Sequence, residues 1–397
     1  MVRKIRKKAS HHINLDNTAR HVLVLAACCV VGWVLITHNP IRLDPGLLIS
    51  SDITSSAAQS SRTSKSISFY DHYQPAPAEE YILRHLKELN MDASNPDKVA
   101  TCHIWTNPSS TPHYNDLRSF LSELKVYYQK VENFRLEDGI SDLRHHLSEN
   151  SHESFCSKLD LHPDGLLRGI FSKSQQLSFT RSGYVEPLLP PMRNPNICFN
   201  QTRYLMNTQY FVHDFASLCR SLKPTSRTIF IDMGASLDFH INRQSPVVSL
   251  WHLYAKFGIP FDHIYAYEMS QTNPKQVFEK VPEHLKAAYH WINVGVESNP
   301  KSSLNPWNVI LDHYNEDDLV VVKLDIDSPD LERELAHQLL EHPRLTKLID
   351  HFYFEHHVNQ FELYPHWGAS GTKESVKDSL ELFRGLREKG VASHFWV

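Results

Sequence analysis

Four polar clusters in the second half of the chain each close an apolar run. They are Asp232-Met233-Gly234-Ala235-Ser236, Glu268 after Tyr265-Ala266-Tyr267, Lys323-Leu324-Asp325-Ile326-Asp327, and Glu355-His356-His357. A carboxylate at the end of a buried strand can accept hydrogen bonds from a ligand or order the loop that touches it, and a small residue beside it lets backbone approach. Asp232 with Gly234 and Ala235 has this form. Glu268 is placed as the acid that accepts from ribose hydroxyls. Such an acid usually stands about 20 residues on; the longer separation here reflects residues 237–257, which read as an insertion. His356 and His357 offer imidazoles that can take a proton near neutral pH. Asp327 stands nearer the acceptor, and Glu355 is a candidate substrate contact. Asp325-Ile326-Asp327 also has the D-x-D form, in which paired carboxylates hold a divalent ion against a sugar-nucleotide diphosphate. A metal enters only under such alternatives, because the histidine pair lacks a zinc spacing.

These clusters need strands and helices to position them. Apolar runs at Thr228–Met233, His263–Tyr267, Trp291–Val296, Leu319–Ile326, His351–Phe354 and Ala392–Val397 read as strands. Between them, helices are expected over Val247–Phe257, Pro282–Tyr289, Asp330–His342 and Glu374–Lys389. Ser328-Pro329 provides a capping hydroxyl and a first-turn proline for the third. Continuous apolar strands alternating with amphipathic helices predict a Rossmann-like, mostly parallel sheet with helices on both faces, over residues 224–397. Ahead of it, residues 70–223 read as a helical accessory region. Leu117, Phe120, Leu121, Leu124, Tyr128 and Val131 form a stripe at helical spacing, Pro77 opens a helix, and Gly183–Asn196, with four prolines, is an extended connection.

FIDMGAS, YAYE and VVVKLDIDSPD, in this order and spacing, resemble the motifs of class I S-adenosylmethionine-dependent methyltransferases, most nearly of the FkbM type. Residues 179–397 are also similar to a family of uncharacterised, membrane-anchored algal and plant proteins. Its marks here are the GAS turn, FDHIYAYE, KLDIDSP, EHHV and a terminal histidine-aromatic-valine. The resemblance implies a methyltransferase-like fold and S-adenosylmethionine as cofactor. Asp232, Gly234 and Ala235 would lie along its methionine part, Glu268 on its ribose, and Asp325 at the closed end of the site. The later glycines of the family's loop are absent, and one strand, where the family has a hairpin, follows the last helix. The activity implied is O-methyl transfer, with a glycan as acceptor. A type II glycosyltransferase and a catalytically silent domain are the alternatives.

The N-terminal quarter reads differently. Residues 1–20 form a basic tail, with Arg3, Lys4, Arg6, Lys7, Lys8 and Arg20. An apolar run, Val22 to Ile36, lies within an expected transmembrane signal-anchor at 21–38. Only Arg42 follows closely, so the charge asymmetry predicts a single-pass type II protein of the Golgi or another secretory membrane, with the lipid bilayer as partner. Residues 39–69 then make a Ser/Thr-rich stem. Cys102, Cys156, Cys198 and Cys219 permit two disulfides in three connectivities or four buried thiols, and Asn200-Gln201-Thr202 is a glycosylation sequon. Beyond the tail the chain is net acidic, which gives nucleic acid no basic face to bind.

Overall fold

The computed structural model describes residues 73–397, apart from 93–98, 149–151, 164, 166–167, 175–182, 237–244 and 367–373. Six strands form one sheet: β4 (Thr228–Met233), β5 (His263–Tyr267), β6 (Tyr289–Ile292), β7 (Leu319–Leu324), β8 (His351–Phe354) and β9 (Ala392–Phe395). Their order is β6-β5-β4-β7-β8-β9, and every pairing is parallel. The chain therefore builds outward from β4 in one direction, returns, and builds outward from β7 in the other. This is the Rossmann order, with its switch point between β4 and β7.

β4 and β7 are buried along their whole length, as central parallel strands must be when both faces are covered. Phe230 packs on Trp251 of α6 (Pro246–Lys256), and Tyr353 on Tyr254 of the same helix. On the opposite face, Phe354 and Phe395 stack against Phe383 of α11 (Val376–Glu388), beside α9 (Pro329–Glu341). Side chains two apart on a strand share a face, so Asp232, Lys323, Tyr353 and His394, which are in register, project to the α6 side.

The accessory part is less helical than its sequence suggests. Helices α1 (Pro77–Arg84), α2 (His103–Thr106), α3 (Tyr114–Asn133), α4 (His152–Ser157) and α5 (Phe215–Ser221) are joined by a small antiparallel sheet of β1 (Tyr73–Gln74), β2 (Ser172–Ser174) and β3 (Tyr184–Val185). Helix α3 carries most of the expected stripe: Leu117, Phe120, Leu124 and Val131 are buried, Leu121 and Tyr128 are half-buried, and Tyr127, not expected, is buried with them. Disulfides join Cys102 to Cys198 and Cys156 to Cys219. Gly183–Asn196 is extended, but it is buried in the body of the protein instead of running over the surface.

The membrane anchor expected ahead of the fold is corrected. The tail at 1–20, the span at 21–38 and the stem at 39–69 lie outside the described residues, and among the described residues no helix is long and apolar enough to cross a membrane. The apolar run from Val22 to Ile36 is also shorter than the ~20 residues that a spanning helix needs. The type II topology, the bilayer as partner and the Golgi assignment are accordingly not carried further. The fold stands as a Rossmann-like α/β domain, and no antiparallel strand joins its six parallel ones among the described residues.

Candidate functional site

A cleft of about 390 Å³ opens at the carboxyl edge of the sheet, across the switch point. Its walls come from the four segments that follow β4, β5, β6 and β7: Gly234 and Ser236, Tyr267 to Ser270, Val294 to Val296, and Asp325 to Ser328. Carboxylates are its only charged groups among these lining residues: Glu268, Asp325 and Asp327.

The turn after β4 is pinned from both neighbouring strands. The Gly234 and Ala235 amides donate to the Tyr267 carbonyl at 3.0 and 2.9 Å, and the Asp325 amide donates to Met233 O at 3.1 Å. Gly234 has φ +88°, and a Cβ there would fall 1.6 Å from the Asp325 carbonyl oxygen. Glycine is required at this position both by the backbone and by the neighbouring strand. Ala235 is buried beneath the turn and does not line the cleft.

Asp232 is also buried, pointing to Lys323 rather than into the cleft. The Lys323 ammonium sits 3.1 Å from Asp232, 3.2 Å from Asp325 and 2.8 Å from Gly234 O. Burial alone would lower its pKa, but the two carboxylates outweigh burial and hold it above the usual lysine value. Sequence reasoning passed over Lys323. The signal was there: a lysine inside an otherwise apolar strand has to be paired.

Glu268 accepts from the Ser270 amide at 2.6 Å and remains part of the cleft wall. Strand β7 ends at Leu324, and Asp327 adopts φ +55°, the left-handed region that aspartate tolerates better than most residues. The alternation of a strand therefore no longer applies. Asp325 turns to Lys323, while Asp327, at the exposed rim, has a carboxylate oxygen within 4.8 Å of ligand atoms on Glu355 and His357. Its pKa is raised, first by partial burial of the carboxyl and then by Asp325.

Behind the rim, the Glu355-His356-His357 cluster is buried and does not line the cleft. Glu355 pairs with Arg193, from the proline-rich segment. His356 Nε2 lies 2.6 Å from Glu374, and His357 Nδ1 lies 2.9 Å from Glu332. The other Glu332 oxygen accepts from the Ile326 amide at 2.8 Å, so one first-turn residue of α9 holds both the loop and the imidazole. Burial would lower the His357 pKa; Glu332 and the nearby acids raise it instead. Arg193, Glu332 and Glu374 gave no sequence signal, being charged residues in segments that read as surface. Asn200 is exposed, just past a 3₁₀ turn over Pro195–Phe199.

No protein-family model matches the chain, and neither a curated protein nor a solved structure is found similar to it. The resemblance to FkbM-type methyltransferases and to a membrane-anchored algal and plant family is therefore corrected to a likeness of short motifs. Residues that end parallel strands at a switch point share such motifs because the fold demands them.

Proposed function

We propose that the cleft binds S-adenosylmethionine and that the protein transfers its methyl group to an oxygen acceptor. The observation that carries this reading is the charge of the cleft: Glu268, Asp325 and Asp327 face it, and no lysine, arginine or histidine stands among its lining residues. A dinucleotide or sugar nucleotide brings phosphates, which need cations or a glycine-rich cradle of amides. A sulfonium cofactor brings a positive charge and no phosphate. The volume also falls within the ~300–1,000 Å³ range of small-molecule sites.

Glu268 would accept from the ribose hydroxyls, and Asp325, fixed by Lys323, would favour the cationic end. The cofactor, when bound, supplies a methyl group on positively charged sulfur. Asp327 is the group placed to take the proton that an acceptor hydroxyl gives up, and its raised pKa makes it a better base than an ordinary aspartate. His357, whose pKa Glu332 raises, is better suited to stand as a charge behind Asp327 than to act as the base itself. His356 is held by Glu374 one layer deeper. The D-x-D alternative gains little from the geometry, since the Asp325 carboxylate is committed to Lys323.

Calorimetric titration with S-adenosylhomocysteine tests the reading. Glu268→Ala should weaken binding by about 1.5–3 kcal/mol, the range for a hydrogen bond to a charged group, and leave the melting temperature near that of wild type. Absence of binding at millimolar ligand, or tighter binding of NAD, would remove the proposal and leave only the fold.

A further inference from the structure

A second cluster lies in the core, on the α6 face of β8 and β9, and has no part in the cleft. His213, from the segment before α5, His351 of β8 and His394 of β9 are all buried. Each offers a ring nitrogen, and the three nitrogens lie within 4.8 Å of one another. His351 Nδ1 and His394 Nε2 are 3.3 Å apart, which is roughly the edge of a tetrahedron drawn with zinc–nitrogen bonds of ~2.0–2.1 Å. Other candidate ligand groups in the described residues are less suitable. Cys156 and Cys219, beside His152, are already joined as a disulfide, and in the group of Asp327, Glu355 and His357 the glutamate is paired with Arg193 and the imidazole with Glu332.

We propose that His213, His351 and His394 bind one zinc ion, which ties the segment before α5 to the last two strands of the sheet. Three further observations support this. The first is Glu186, whose Oε1 lies 2.7 Å from His394 Nδ1 while its Oε2 accepts from the Val212 amide at 2.7 Å. A carboxylate on Nδ1 fixes the proton there and leaves the Nε2 lone pair facing His351, as outer partners of metal-bound histidines do. The second is His213: Nε2 lies 2.5 Å from the Tyr353 hydroxyl, and Nδ1 is buried without a hydrogen-bond partner, a state that is rare for a polar atom in a core. The third is a cavity of about 10 Å³ lined by His213 and His351, though not by His394, which leaves room for about one water beside the cluster. Imidazole sets of this kind suit zinc better than calcium or magnesium, which prefer oxygen.

The test is metal analysis of the full chain, expressed with added zinc and purified without chelator. About one zinc per chain is expected, lost on His394→Asn or His213→Ala and kept on His290→Asn, a histidine outside the cluster. Should either cluster variant fail to fold, Glu186→Gln keeps a hydrogen-bond acceptor on His394 and should weaken zinc binding by roughly 10–100-fold. Zinc should also raise the melting temperature of the wild type relative to a chelator. A wild-type chain without zinc, zinc that survives the cluster substitutions, or unchanged affinity in Glu186→Gln would each overturn the proposal.

Discussion

Lys323 shows how one residue can organise a site without lining it. Its ammonium is almost fully buried between Asp232 and Asp325 and also donates to Gly234 O. The same cation thus fixes the end of β4, the glycine turn and the start of the loop after β7. Removing it would leave the buried Asp232 carboxylate, and that of Asp325 at the cleft wall, without their counter-ion. Breaking a buried ion pair from one side costs about 3–5 kcal/mol, so Lys323→Met should lower stability by that amount in urea unfolding. Lys323→Met combined with Asp232→Asn should recover part of the loss, because only one buried charge then remains. A single-variant loss below ~1 kcal/mol would mean that water reaches the pair and that the turn is held by backbone alone.

At the scale of elements, the two disulfides allow a clean prediction. Cys156–Cys219 joins α4 to α5 across a separation of 63 residues, and a cross-link of that span contributes roughly 2–4 kcal/mol, chiefly by restricting the unfolded chain. The paired Cys156→Ser, Cys219→Ser protein should lose that much in equilibrium unfolding, and a reducing agent should lower the wild type towards it. Sequence could offer only three connectivities, because pairing depends on which loops the fold brings together. The six strands were legible for a different reason: each lies in a short, mostly apolar run bounded by polar or turn residues, even though Asp232, His290, Lys323 and His394 interrupt four of them. Their ends were less so. β6 was expected at Trp291–Val296 and forms at Tyr289–Ile292, because Val294 to Val296 leave the ladder to line the cleft. The helix expected at Pro282–Tyr289 is a single 3₁₀ turn at Glu283–Leu285, and the helix of this connection lies upstream as α7 (Pro274–Lys280). β1 to β3 are two or three residues long and carry no period to read. Within the cleft, Gly234, Glu268, Asp325 and Asp327 were legible as strand-end residues. Asp232 was not placed correctly by that logic, since a strand-end acid can face a buried lysine as readily as a ligand.

For the whole molecule, the buried ionisable groups set how stability depends on pH. Burial, then neighbouring charge, holds His213 and His394 well below the usual histidine pKa, so the fold excludes protons that the unfolded chain takes up below ~6.5. Each such proton lowers stability by about 1.4 kcal/mol per pH unit as pH falls through that range. Buried carboxyls act in the opposite sense. Burial raises Glu186 and Glu355 to about 7 against the pull of Arg387 and Arg193, and it raises Glu79 as well. The fold keeps these protons while the unfolded chain releases them, so these groups add stability as pH falls from about 7 to the ordinary glutamate value near 4.3. Between pH 7 and ~4.5 the two sets oppose each other, and stability in a chelating buffer should change little. Below ~4.5 the carboxyls are protonated in both states, and only the imidazoles still discriminate. Asp262 joins them there: burial would raise it, but Arg144 and the Thr228 amide hold it below the usual aspartate value, so its contribution is lost as pH falls through that lowered pKa. Urea midpoints measured from pH 7.5 to 3 should therefore stay nearly level and then drop steeply. Glu186→Gln removes one of the opposing carboxyls, so its urea midpoint should fall progressively behind that of the wild type as pH drops from 7 to ~4.5. A wild-type profile that already falls steeply between pH 7 and 5 would mean that Glu186 and Glu355 are ionised in the fold, with Arg387 and Arg193 rather than burial deciding their charge.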